Sequence, residues 1–85
     1  ENTIENAVAL YPNPATSEVF ISISDKTFST FDVTIVNSLG QVLERKTNVD
    51  NAATTSLNVS NYSSGIYFIT IKAGESTTTK KLVVQ

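Results

Sequence analysis

The chain holds 85 residues with a formal net charge of −2, 40% hydrophobic residues, and no Cys, His, Met or Trp. That is one small domain, which buries roughly 60–65% of its unfolded surface and has room for one layer of side chains between two sheets, but little for a deep catalytic pocket. Without Cys there is no disulfide, thiolate metal site or thiol nucleophile, and without His there is no Ser-His or Cys-His pair and no imidazole base.

Residues 1–6 are polar and without period, and are expected to be a linker or frayed end, leaving one domain over residues 7–85. Residues 7–11 form a short apolar strand, stopped by Pro12-Asn13-Pro14, because proline cannot donate to a ladder. Residues 12–17 are then a rigid connection. Over residues 18–24, Val19, Ile21 and Ile23 share one face of a strand; over 31–37, Phe31, Val33 and Ile35 do the same. Ser38-Leu39-Gly40 is a tight turn, with glycine supplying the positive φ.

Residues 41–47 return as a strand with Val42 and Leu43 its main apolar residues, and Glu44-Arg45-Lys46 reads as a solvated edge. Residues 48–53 read as loop, and residues 54–59 as a strand with Leu57 and Val59 inward. Two β-rich runs then flank Ala73-Gly74-Glu75 as a hairpin: Tyr67, Ile69 and Ile71 share a face, and Leu82 and Val84 point inward with Val83 outward. Seven short strands at intervals of about ten residues, with no helical period, predict an all-β, immunoglobulin-like antiparallel sandwich.

Little in the chain carries chemistry. Asp25, Asp32 and Asp50 lack the spacing of a calcium loop, and no pair of carboxylates points to glycoside hydrolysis. Lys and Arg are scattered until Lys80-Lys81, which is not the footprint of a nucleic-acid binder. No apolar run approaches the roughly 20 residues of a membrane-spanning helix. The sequence therefore predicts a domain with no enzymatic activity, metal or cofactor. Twelve Thr, ten Ser and eight Asn suit exposed strand faces. Tyr11, Tyr62 and Tyr67 are expected to pack rather than stack on sugars, with the Tyr62 phenol bonding to backbone. Lys80-Lys81 beside Leu82-Val83-Val84 is either an edge guard or a handle that a receptor reads by strand addition and charge. A chain that opens on Glu1 without Met is expected to be a piece of a longer or processed protein.

Four motifs in order carry a resemblance. They are Leu10-Tyr11-Pro12-Asn13-Pro14-Ala15; Asn37-Ser38-Leu39-Gly40-Gln41-Val42; Leu57-Asn58-Val59-Ser60 followed by Ser64-Gly65-Ile66-Tyr67-Phe68; and Gly74 followed by Lys80-Lys81-Leu82-Val83-Val84. Together they resemble the type A C-terminal sorting domain of the type IX secretion system (Por secretion system) of Bacteroidota. Members often close on a basic residue, where this chain has Gln85.

The resemblance implies a secretion signal fused behind a cargo upstream of residue 1. Such a signal passes through the periplasm and is recognised by the outer-membrane translocon and its shuttle proteins. A sortase-like surface peptidase then commonly removes it, leaving the cargo on the cell surface or secreted. It also implies that Lys80, Lys81, Leu82, Val83, Val84 and Gln85 are the translocon-recognition segment. Tyr11, Pro12, Asn13, Pro14, Gly40, Gly65 and Tyr67 would be structural, keeping that segment presentable. Self-association through strand edges is a further expectation. The competing reading is an immunoglobulin-like or fibronectin-like spacer, or a carbohydrate-binding accessory of an extracellular enzyme.

Overall fold

Alternation of apolar and polar residues sets the architecture. A computed structural model describes residues 4–85. Seven strands follow a short 3-10 turn at Ile4–Asn6: β1 (Val8–Tyr11), β2 (Glu18–Ile23), β3 (Thr30–Asn37), β4 (Val42–Asp50), β5 (Thr55–Asn58), β6 (Gly65–Ala73) and β7 (Ser76–Val84). They form two antiparallel sheets, β1-β2-β5 and β4-β3-β6-β7. The immunoglobulin-like sandwich predicted from the spacing of the strands is the fold observed.

The inward residues are those the alternation selects. Val19, Ile21 and Ile23 of β2 and Leu57 of β5 face Phe31, Val33 and Ile35 of β3, Tyr67, Ile69 and Ile71 of β6, and Leu82 and Val84 of β7. Nearly all of them are fully buried, and Val59, just after β5, joins them. Fully burying one such side chain contributes about 1.5–3 kcal/mol.

Differences from the sequence reading are local. Ile4 is buried at 2% exposure against the core, so the predicted linker over residues 1–6 is already part of the packed domain at that position; residues 1–3 lie outside the described residues. The polar surroundings of Ile4 hid a single apolar anchor from any period-based reading.

Strand β4 runs three residues further than expected, to Asp50, because two irregularities interrupt its alternation. One leaves Leu43 as the extra residue between Val42 and Glu44, and it is 43% exposed. The other spans Lys46 to Val49, where Asn48 takes φ +56° and its N–H donates to Asp32 Oδ1 at 2.9 Å. A bulge shifts the side-chain parity by one, which is why Val42 and Leu43 face solvent rather than the core.

Gly40 closes the β3–β4 turn at φ +86°, with its N–H donating to Asn37 O and the Asn37 side chain accepting from the N–H groups of Leu39 and Gln41. A side-chain carbonyl that bonds the backbone two residues on is the usual means by which asparagine fixes a turn.

Candidate functional site

Strand β7 lies at one edge of the four-stranded sheet, so its inner side bonds to β6 and its outer side is open to other partners. Alternation along the strand sorts the predicted recognition residues. Leu82 and Val84 are buried in the core, while Lys81, Val83 and Gln85 lie on or near the surface. The basic pair is split by the same alternation. Lys81 stands on the solvent face opposite Phe68, and Lys80 sits half-buried on the core-facing side opposite Ile69.

The outer edge of β7 is not free along its whole length. The segment after β1, Pro12-Asn13-Pro14-Ala15, runs beside it as a strap. Asn13 Nδ2 donates to Lys81 O at 2.8 Å, and Val83 N donates to Asn13 Oδ1 at 3.0 Å. The asparagine amide thus takes the place of a backbone peptide unit. One step on, Ala15 N donates to Val83 O at 2.8 Å and Gln85 N donates to Ala15 O at 2.8 Å. Ala15 forms a parallel bridge to Val84 and is fully buried.

Four hydrogen bonds therefore close the edge from Lys81 to Gln85. At about 0.5–1.5 kcal/mol net each, they hold the strand end in one register. Thr77 and Thr79 point the same way as Val83, and among the described residues no strap covers their N–H and C=O groups.

The predicted structural residues fall around this feature. Pro12 and Pro14 flank the gripping Asn13, each after a cis peptide bond. Tyr67 is buried, donates its phenol to Ser63 O at 2.6 Å, and stacks on Tyr62 with ring centroids 5.1 Å apart. Gly65 opens β6 opposite Val84, and Gly40 lies in the β3–β4 turn at the same end of the domain.

Tyr11 packs on a neighbouring ring, though half exposed, and the backbone partner expected for Tyr62 is corrected. Tyr11 is 46% exposed and tilts against Phe20 at 5.8 Å, on the solvent side of the three-stranded sheet, since the parity of β1 places Val8 and Leu10 inward. The phenol of Tyr62 donates to a carboxylate, Glu44 Oε1 at 3.4 Å, and it is Tyr67 that bonds the backbone. Burial pushes the Tyr62 phenol up from its ordinary pKa, and the nearby Glu44 charge adds to the rise.

The residues that sequence reasoning missed are Ala15 and the solvent-facing side chains around Lys81. Cross-strand pairing lines up Val42 of β4, Val36 of β3 and Phe68 of β6 with Lys81 of β7, and sets Ile66 beside Val83 in the next row. Ile66 is 44% and Val42 51% exposed. The parity of β6 places Ile66 and Phe68 on this face, but the bulge at Leu43 and the strap leave no local sequence signal.

At the opposite end of the sandwich a shallow hollow of about 360 Å³ is lined by Lys26, Phe28, Ser29, Asp50, Asn51 and Ala52. The polar groups of buried Asn51 are already in use. Its Nδ2 donates to Asp25 O and Phe28 O, and its O accepts from Lys26 Nζ at 2.7 Å. The hollow is a loop fastening.

Comparison with known proteins agrees with the motif reading. A family model described as a secretion system C-terminal sorting domain matches residues 9–85. Beta-agarase A of Zobellia galactanivorans is 34% identical over 85 residues, which is all of this chain but 14% of the relative's own length. With strap, turns and last strand all inside the matched span, the chain belongs to the type IX secretion system C-terminal sorting domains.

Proposed function

We propose that this domain is the export signal of a longer protein, directing an upstream cargo through the periplasm to the outer-membrane translocon of the type IX system and on to the cell surface or medium. The observation that carries the reading is the family match over residues 9–85, together with a last strand that the domain holds in place by a dedicated strap. In this reading Lys81, Val83 and Gln85 are the residues a translocon or shuttle protein touches. Lys80, Leu82 and Val84 anchor the strand on its core-facing side, and Pro12, Asn13, Pro14, Gly40, Gly65 and Tyr67 keep it presented. A sortase-like surface peptidase removes the domain after passage. No step requires chemistry from the domain itself.

The test is export of a Sec-directed fluorescent reporter carrying residues 1–85, in a host competent for type IX secretion. Truncation of residues 80–85 is a poor control, because it removes Leu82 and Val84 from the core. The informative comparison replaces only surface positions, Lys81→Ser, Val83→Thr and Gln85→Ala together. The unaltered fusion should reach the surface or medium, and the folded triple variant should remain periplasmic. Retention of both fusions in the periplasm would reject the sorting reading.

One observation favours the accessory reading: the exposed Tyr11 ring beside Phe20 is a surface on which a sugar could stack. Affinity electrophoresis of the isolated domain in agarose and other polysaccharide gels, against Tyr11→Ala, decides it. Retardation that depends on Tyr11 would support a glycan-binding role.

A further inference from the structure

The solvent face of the four-stranded sheet is divided. At the hairpin end it carries Thr70 beside Thr79 and Lys72 beside Thr77, an ordinary hydrated strand surface. At the strapped end it carries Val36, Val42, Ile66, Phe68 and Val83, adjacent across four strands. Single exposed apolar side chains are common, but a contiguous group on an otherwise Thr-rich face marks an interaction surface. Two cations border it, Lys81 opposite Phe68 and Arg45 opposite Thr34. The carboxylate next to Arg45 in sequence, Glu44, lies on the other face with Tyr62 and Lys46.

We propose that this patch is a docking surface, read through its side chains by a protein that presents an apolar ridge flanked by carboxylates. Strand addition along Lys81–Gln85 is disfavoured because Asn13 and Ala15 already occupy that edge, so a partner approaching the last strand meets side chains rather than open backbone. Lys81 and Arg45 supply the charge complementarity that selects an acidic rim. An anionic membrane is the weaker occupant, since the domain as a whole carries −2 and sets only Lys81 and Arg45 beside the patch, with Lys72 at the far end of the face. The inference rests on the sorting reading, and extends the recognised surface from the last strand to β3, β4 and β6.

The test uses the same reporter fusion with the last strand left intact. Ile66→Glu and Val42→Glu place carboxylates at positions already about half exposed, so the fold should survive, as checked by thermal melting. If Ile66→Glu lowers the melting temperature too far, Val42→Glu on the edge strand serves alone. Export should fall at least tenfold for the Glu variants and clearly less for Ile66→Lys, because an acidic partner repels only the former. Thr77→Glu, at the far end of the same face, should export within twofold of the unaltered fusion.

Export of the unaltered fusion with full export of Ile66→Glu and Val42→Glu would overturn this inference and leave the sorting reading standing. Failure of the unaltered fusion would overturn both. Binding of the isolated domain to phosphatidylglycerol vesicles, lost in Ile66→Glu and Ile66→Lys alike, would overturn the protein partner in favour of a membrane.

Discussion

The two outer edges of the four-stranded sheet solve one problem in different ways. An open edge invites pairing with another chain. Strand β4 deters it with two bulges and the run Glu44-Arg45-Lys46, so its backbone is irregular and its side chains are charged. Strand β7 stays regular over nine residues and is instead covered at one end by a segment from 68 residues earlier in the chain. A bulged edge needs no exact geometry. A strapped edge keeps a straight strand in fixed register, as the proposed recognition of Lys81 and Val83 would require.

That contrast can be broken first at the core beneath each edge. Leu82→Ala on β7 removes a fully buried side chain and should cost about 2–5 kcal/mol, whereas Leu43→Ala at the β4 bulge should cost under about 0.5 kcal/mol. Urea unfolding measures both, and comparable losses would mean that the two edges are equally packed. Next is the strap. Asn13→Ala leaves Lys81 O and Val83 N without their partner and should cost about 1–3 kcal/mol in the same assay. Asn13→Asp keeps only the bond from Val83 N, so it should destabilise while still protecting that amide.

On β4, Asn48→Val forces a β-branched residue into φ +56° and should cost about 1–2 kcal/mol, with Asn48→Gly close to neutral. An equal cost for both would show that the Asn48 side chain, and not its backbone, matters.

The smallest effect is electrostatic. Folding raises the Tyr62 pKa, so the phenol's contribution to stability is complete below the ordinary tyrosine value and is lost as pH climbs through the raised one. Glu44→Gln should bring that pKa part of the way back, since burial is the larger cause. Ultraviolet difference titration measures it, and no change in Glu44→Gln would separate Tyr62 from the β4 edge.

These edges also mark where the sequence stops being informative. The period-two pattern of Val19-Ile21-Ile23, Phe31-Val33-Ile35 and Tyr67-Ile69-Ile71 names the core, because strand geometry alone assigns each side chain to a face. The same rule places Leu82 and Val84 inward and Val83 outward. It fails at Leu43 and Asn48, where an inserted residue resets the parity, and at Ile4, a lone apolar residue with no period to join.

The motif Tyr11-Pro12-Asn13-Pro14 shows a turn but not its target. The bond from Asn13 to Lys81 spans 68 residues, and no local propensity encodes it. Half of the candidate site was therefore legible as a strand, and the half that secures it was visible only once the sheets were assembled.

Whether the strap, and not β6 alone, holds the displayed end of β7 is decided most directly by native-state amide hydrogen exchange at four outward-facing positions. If the strap holds it, Val83 and Gln85 exchange slowly, Thr77 and Thr79 exchange fast, and Asn13→Ala selectively removes protection at Val83. Equal exchange at all four amides in the unaltered domain, or full protection of Val83 in Asn13→Ala, would contradict it.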